Sequence, residues 1–346
     1  MPSRLLRTAL LAATLHGQNL LVLSKGDTTL AIVDPTTLKV LARVPSGPDP
    51  HEVEASTDGK LAFISNYGGG AYNTITVVDL VAQKVLRTVD LGPLRGPHGL
   101  MFTGGKLWFT AEAAKVIGSY DPAANKVDWV LGTGQNRTHM IWVSPDQKRI
   151  VTSNVSSATM TIIDKTAGGG RGPAPGAGPG RAPGPGGPGR GPSGVPQGDW
   201  EETVVPVGRG AEGFDVAPNG RELWAANAQD GTISILDLAA KKVTQTLSAN
   251  VNGANRLKFT PDGKQVFVSA LGGPNVAVFD AASRAELKRI PVGRGAAGIL
   301  MQPDGSRAFV ACTPDDYVVA IDLKTRAVTA HLDAGKQPDG LAWAVR

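Results

Sequence analysis

Residues 51–91 read HEVEASTDGKLAFISNYGGGAYNTITVVDLVAQKVLRTVDL, four short runs separated by turn residues. His51 to Ala55 is followed by Asp58-Gly59-Lys60, Leu61 to Asn66 by Tyr67-Gly68, and Thr74 to Asp79 by Ala82-Gln83-Lys84, which leads into Val85 to Leu91. Each run has the length and the β-branched or aliphatic content of a strand, and no segment shows helical period. Asp-Gly between the first two runs is hairpin chemistry, because glycine accepts the positive φ of a tight turn. The stretch predicts a four-stranded antiparallel meander, with strands A to D in chain order.

The same unit recurs outward in both directions. An Asp closes the third run at Asp34, Asp79, Asp121, Asp164, Asp237, Asp280 and Asp322, at intervals of 45, 42, 43, 73, 43 and 42 residues. Asn219-Gly220, Asp262-Gly263 and Asp304-Gly305 repeat the A-to-B turn. A period near 40 with four short runs per unit is the signature of a β-propeller blade, and seven Asp residues imply seven blades. The expectation is one all-β domain over 18–346. At its ends, Asp339-Gly340-Leu341-Ala342-Trp343 reads as a strand A with nothing after it, and Asn19 to Val44 as strands B, C and D with no A before them. Pairing of the two terminal strands closes the ring and leaves no open edge.

The one long interval holds a Gly/Pro-rich insert, 168–198, with 14 Gly, 8 Pro and 3 Arg. It has too little apolar bulk to offset its chain entropy and is expected to be disordered. It joins C to D, on the face opposite the starts of the A strands, so its removal should leave ligand affinity at those starts intact. The net charge of +5 is accounted for by Arg171, Arg181 and Arg190 in the insert and Arg4 and Arg7 near the N-terminus. The propeller is left near neutral, which gives no support for a nucleic-acid surface. Arg4 and Arg7 precede an apolar run, Thr8 to Leu15, so 1–17 reads as a Sec signal peptide and the domain as periplasmic or secreted. No stretch is long enough to span a bilayer. Cys312 is the only cysteine and excludes an intrachain disulfide.

The turn Pro303-Asp304-Gly305, the strand Ala308-Phe309-Val310-Ala311 and the closing Ile321-Asp322-Leu323 resemble the YVTN repeat of YncE-like and lactonase-like seven-bladed propellers. The resemblance covers 18–346 apart from the insert. It implies fold rather than activity, because binding proteins, surface-layer proteins and enzymes share this repeat. One blade is similar instead to a streptogramin-lyase repeat, in His98-Gly99-Leu100, Leu107 to Glu112 and Val116-Ile117-Gly118.

Aligning the blades on strand A stacks His51, His98, His139, Glu212, Asn255, Ala297 and Asp339 in one column, with a one-residue shift allowed at His98. Three of the five histidines fall in it. In an antiparallel meander strand A starts on the face where strand B ends. Asn66, Tyr67, Glu112, Asn154, Asn227 and Gln229 at the B ends, and Gln135, Asn136 and Arg137 leading into an A strand, should therefore share one mouth of the channel. The candidate ligand-binding set is His51, His98, His139, Glu212, Glu112, Asn66, Asn136, Arg137, Asn154, Asn227, Asn255 and Asp339.

Several readings of this column stand side by side. The histidines can bridge blades structurally. They can form the ligand site of a monomeric binding module that takes a small molecule or a protein at one face. His51, His98, His139 and Glu212 are also a donor set for Zn²⁺ or another divalent metal. Alternatively, a histidine beside Glu212 or Glu112 can serve a hydrolase or lyase as general base. No phosphate loop and no Gly-x-Ser-x-Gly elbow occurs, and Cys312 carries no nucleophile signature. Trp108, Trp142, Trp224 and Trp343 are expected to pack between blades.

Overall fold

The computed structural model describes residues 17–166 and 200–346. The leader-like segment, apart from Gly17, and the insert lie outside the described residues. Within them, twenty-eight strands form seven separate four-stranded antiparallel sheets, and the only helical elements are three-residue 3₁₀ turns at Gly68–Gly70 and Thr313–Asp315. The seven-bladed expectation holds. Blade 2, the unit read first, consists of Pro50–Ala55, Leu61–Asn66, Thr74–Asp79 and Lys84–Asp90. Blades 3 to 7 follow in chain order, beginning at Pro97, Thr138, Ala211, Ala254 and Ala296.

Blade 1 is built from both ends of the chain. Its innermost strand is Pro338–Val345, which pairs antiparallel with Gln18–Ser24, and Thr29–Val33 and Val40–Pro45 complete the sheet. The seven A strands touch in succession around the axis, from blade 1 back to blade 1.

Burial follows position in the blade. Strands B and C are buried almost throughout, as in Leu61–Asn66 and Thr74–Asp79, because a neighbouring blade covers each face. Strand D is the outer edge and alternates, as in Lys126–Gly132. The core is therefore a set of layers between blades. Phe63, Ile75 and Val77 of blade 2 pack on Leu100, Leu107, Phe109 and Tyr120 of blade 3. Trp224 is fully buried against Phe259 of the next blade, and Trp343 stacks on Phe309 across the closure, as inter-blade packing requires. No helix among the described residues is long and apolar enough to cross a membrane.

Candidate functional site

Every A strand opens with the same irregularity. Pairing with strand B skips between Pro50 and Val53, Pro97 and Leu100, Thr138 and Ile141, Ala211 and Phe214, Ala254 and Leu257, and Ala296 and Ile299. Blade 1 has the matching shift opposite Val22 and Ser24. Two residues thus oppose one, a bulge that re-aims side chains at a sheet end. The first bulge residues are His51, His98, His139, Glu212, Asn255, Ala297 and Asp339, the column aligned from sequence. His98 falls in register, so the one-residue shift allowed there is unnecessary.

The second bulge residue sits where neighbouring A strands come closest. A Cβ on Gly99 would lie 2.5 Å from the His139 carbonyl oxygen, and one on Gly213 would lie 2.4 Å from that of Asn255. Glycine is required there by space, not by φ. Hydroxyls on strand B tie the bulges together. Thr110, Ser153 and Ser269 each accept the bulge N–H of Gly99, Met140 or Arg256 and donate to the carbonyl of His139, Glu212 or Ala297 in the next blade.

The bulge column and the residues just after strand B enclose a cavity of about 320 Å³ at the mouth. All seven column positions line it, and Lys25, Tyr67, Leu271 and Thr313 join from the post-B position. Arg137 and Arg256 complete it. A chain of polar contacts crosses four blades. Tyr67 Oη donates to Glu112 Oε2, Glu112 Oε1 meets His139 Nδ1, and His139 Nε2 lies 3.0 Å from Glu212 Oε1. Arg137, in the left-handed conformation with φ 58°, lies 3.7 Å from Glu112 and 3.8 Å from Glu212.

Charge in the cup is set by these contacts. Burial by itself disfavours a charged His139, but Glu212 and Glu112 outweigh it and raise its pKa. Burial opposes ionisation of Glu212 as well, yet His139 and Arg137 bring it down to about 2. His51 and His98 behave oppositely. Burial, and then the Lys25 ammonium, lower His51 to about 4, and burial with the surrounding cations holds His98 well below the usual histidine range. Lys25 Nζ lies 3.0 Å from His51 Nε2. An ammonium can only donate, so Nε2 accepts and the His51 proton sits on Nδ1, 3.6 Å from Asp49. The His98 and His139 rings lie 3.8 Å apart, centroid to centroid.

Of the residues expected at the mouth, His51, His98, His139, Glu212, Asn255, Asp339 and Arg137 line the cavity, and Glu112 stands directly behind His139. Asn66, Asn154 and Asn227 do not line it. Their side-chain amides donate to strand C hydroxyls, Thr74 and Thr76, Thr159 and Thr161, and Thr232 and Ser234, which pins B to C. Asn136 is exposed on its loop, and Gln229 lies outside the lining. Cys312 is buried, and burial pushes its thiol up to about 12.

The metal expectation meets a different arrangement. Among the described residues no group of three His, Cys, Asp or Glu side chains is placed to hold a metal ion. Both His139 nitrogens face carboxylates and His51 Nε2 faces an ammonium, so two of the four expected ligands have their lone pairs or protons committed elsewhere.

Two residues of the second bulge position were not singled out from sequence. Glu52 of blade 2 and Arg256 of blade 6 reach across the axis and pair, Arg256 Nη2 to Glu52 Oε1, with both side chains largely buried. The column Glu52, Gly99, Met140, Gly213, Arg256, Gly298, Gly340 carried the signal, being mostly glycine with one acid and one base. Lys25 was visible in the same way, at the post-B position of blade 1.

Fold and mouth together define a closed seven-bladed propeller with a polar cup at one face. The model of the YNCE-like beta-propeller family matches residues 1–123, in keeping with the repeat resemblance. No curated protein matches the chain. Among solved structures, a functionally unknown protein from Desulfotomaculum acetoxidans is similar with TM-score 0.73 and 13% identity, over 94% of this chain and 98% of that one. A putative 6-phosphogluconolactonase from Bacteroides fragilis is similar with TM-score 0.70 and 15% identity, over 96% and 99%. Kuenenia stuttgartiensis hydrazine synthase is similar with TM-score 0.65 and 18% identity, over 85% and 89%. At these identities the likeness is one of fold.

Proposed function

We propose that this propeller is an exported binding protein that holds a small polar ligand in the mouth cup. One observation carries the reading. His51 Nδ1, His98 Nδ1 and Asn255 Oδ1 are buried without a hydrogen-bond partner, and all three residues line the same cavity. Leaving a buried polar atom unpaired costs about 1–3 kcal/mol, so three in one cup imply a guest that completes them. The cup is at the small end of ligand pockets, which suits a metabolite rather than a polymer. The leader-like run Thr8 to Leu15 supports the exported setting.

A lactonase-like hydrolase built on the same residues has less support. A general base works best with a pKa near the working pH. His51 at about 4 and His98, held well below the usual histidine range by burial and nearby cations, are weak bases, while His139 is engaged by a carboxylate on each side. The likeness to a lactonase-type structure is one of fold.

Thermal denaturation across a library of polar metabolites tests the proposal. A ligand present at about 100 times its Kd adds about 2.7 kcal/mol to stability. The shift it causes should be lost in Asn255→Leu, which removes one unpaired atom at similar volume. A library that leaves the melting temperature unmoved, or a shift that survives Asn255→Leu, overturns the reading.

A further inference from the structure

The cup is polar, but its charges are not evenly placed. Lys25, Arg137, Arg256 and His139 all line it, and the last is favoured as a cation by its carboxylate neighbours. The acids that balance them stand mostly behind the lining. Glu112 is 4% exposed and contacts His139 from outside the cavity, Glu52 lies behind Arg256, and Asp49 flanks Lys25. Only Glu212 and Asp339 are acids of the lining itself.

The cations also differ in what remains for a guest. Arg256 is committed to Glu52, and Lys25 to His51 at 3.0 Å with Asp49 and Asp339 at 3.5 Å. Arg137 is different. Its side chain is 42% exposed at the rim, and its two carboxylate contacts, at 3.7 and 3.8 Å, are beyond hydrogen-bond distance. Its one side-chain hydrogen-bond neighbour is the Tyr67 hydroxyl, which leaves most of its donors for a guest. A guanidinium presents a planar fork of donors matched to a carboxylate or phosphate. Its left-handed backbone, immediately before the blade 4 bulge, projects it from the loop that enters strand A.

We infer that the ligand of the cup is a small organic anion whose carboxylate or phosphate head group is gripped by Arg137, with the His51 Nδ1–H and His98 Nδ1 making further hydrogen bonds and Asn255 Oδ1 accepting from a donor group elsewhere on the guest. This rests on the binding-cup reading and adds the charge of the guest. The depressed pKa values of His51 and His98 agree with it, since burial is followed among their causes by nearby cations. The positive potential that disfavours a proton on those rings favours an anion beside them.

Titration calorimetry on the whole chain, at low and at moderate salt, provides the test. The probes are succinate, citrate and inorganic phosphate, with succinamide as the neutral control. At least one oxyanion probe should bind at least tenfold more tightly than succinamide, and Arg137→Gln should weaken it at least tenfold. Arg137→Lys should recover part of that loss, and thermal denaturation should show both variants folded at the assay temperature. Preference for succinate or citrate identifies a carboxylate guest, and preference for phosphate identifies a phosphate ester. Anion affinity that is unchanged in Arg137→Gln, or an absence of oxyanion binding, overturns the inference. If a neutral or cationic library ligand binds in an Asn255-dependent way while the anions do not, the charge assignment fails and the binding cup stands.

Discussion

On the face where strand C turns into strand D, Asp34, Asp79, Asp121, Asp237, Asp280 and Asp322 make nearly the same contacts in six blades. Each side chain accepts backbone N–H groups two or three residues on, such as Val81 and Ala82 for Asp79. The residue four places after each one, Leu38, Gln83, Asn125, Lys241, Arg284 or Arg326, has positive φ. On the opposite face the bulge column places His, His, His, Glu, Asn, Ala and Asp on equally regular backbone, and their contacts differ blade by blade. The first column repeats because it solves a local turn problem that every blade has. The second varies because one cavity needs different chemistry on each side. Repetition here marks scaffold, and its loss on an otherwise repeated backbone marks the site.

The largest effect tests the closure that makes the faces rings. Deleting 341–346 removes the strand paired with Gln18 to Val22 and the buried Ala342 and Ala344, and uncovers the edge of Gln18–Ser24. The melting temperature should fall by at least about 10 °C, because several kcal/mol are lost at a few degrees each. Unchanged thermal denaturation would mean that the ring does not close through these strands.

The cross-axis pair should come next. Arg256→Met leaves Glu52 buried without its partner and should cost about 4 kcal/mol. The double variant Glu52→Gln with Arg256→Met should recover most of that, because no charge is then stranded. Chemical denaturation of the single and double variants measures the coupling, and an additive result would show that the two side chains do not meet across the channel.

The mouth also makes a pH signature that the turn face lacks. The folded pKa of His51 is about 4, below its unfolded 6.5, so between these values the unfolded chain holds more protons. Stability from this group is complete above pH 6.5 and is lost on acidification towards pH 4, by on the order of 3 kcal/mol. His98 acts in the same direction. His139, with its raised pKa, acts oppositely, contributing below pH 6.5 and losing that contribution as pH rises through its folded value. His51→Asn should flatten the acid limb of the stability curve, and an unaltered limb would place its cause elsewhere.

How much of this was legible follows from the same contrast. The Asp column and the Asp-Gly turns fix blade number and strand order because they are local rules repeated in sequence. The bulge column was legible once the blades were aligned, since position in the repeat stands for position around the mouth. Asn66, Asn154 and Asn227 were misplaced because strand side chains alternate. At the last residue of strand B they turn to strand C hydroxyls, and the next residue, Tyr67 or Glu112, faces the mouth side. The Glu52–Arg256 pair was hidden for a different reason. Its partners are 204 residues apart and meet only because blades 2 and 6 face each other across the axis.

The smallest expected effect separates Asp79 from the one column member next to the long insert. Asp79→Ala removes two backbone hydrogen bonds at an exposed turn and should cost about 1 kcal/mol, with little dependence on salt. Gln83→Gly in that background should restore part of the loss, because glycine relieves the left-handed residue of the same turn. Asp164 faces two cations, Arg149 Nε at 2.6 Å and Lys241 Nζ at 2.9 Å, the latter from blade 5. Its contribution is a partly exposed inter-blade ion network, so the cost of Asp164→Ala should shrink as salt is raised. Denaturation of both variants at about 0.05 and 1 M salt makes the comparison. Equal salt dependence would mean that Asp164 serves its blade as the other six serve theirs.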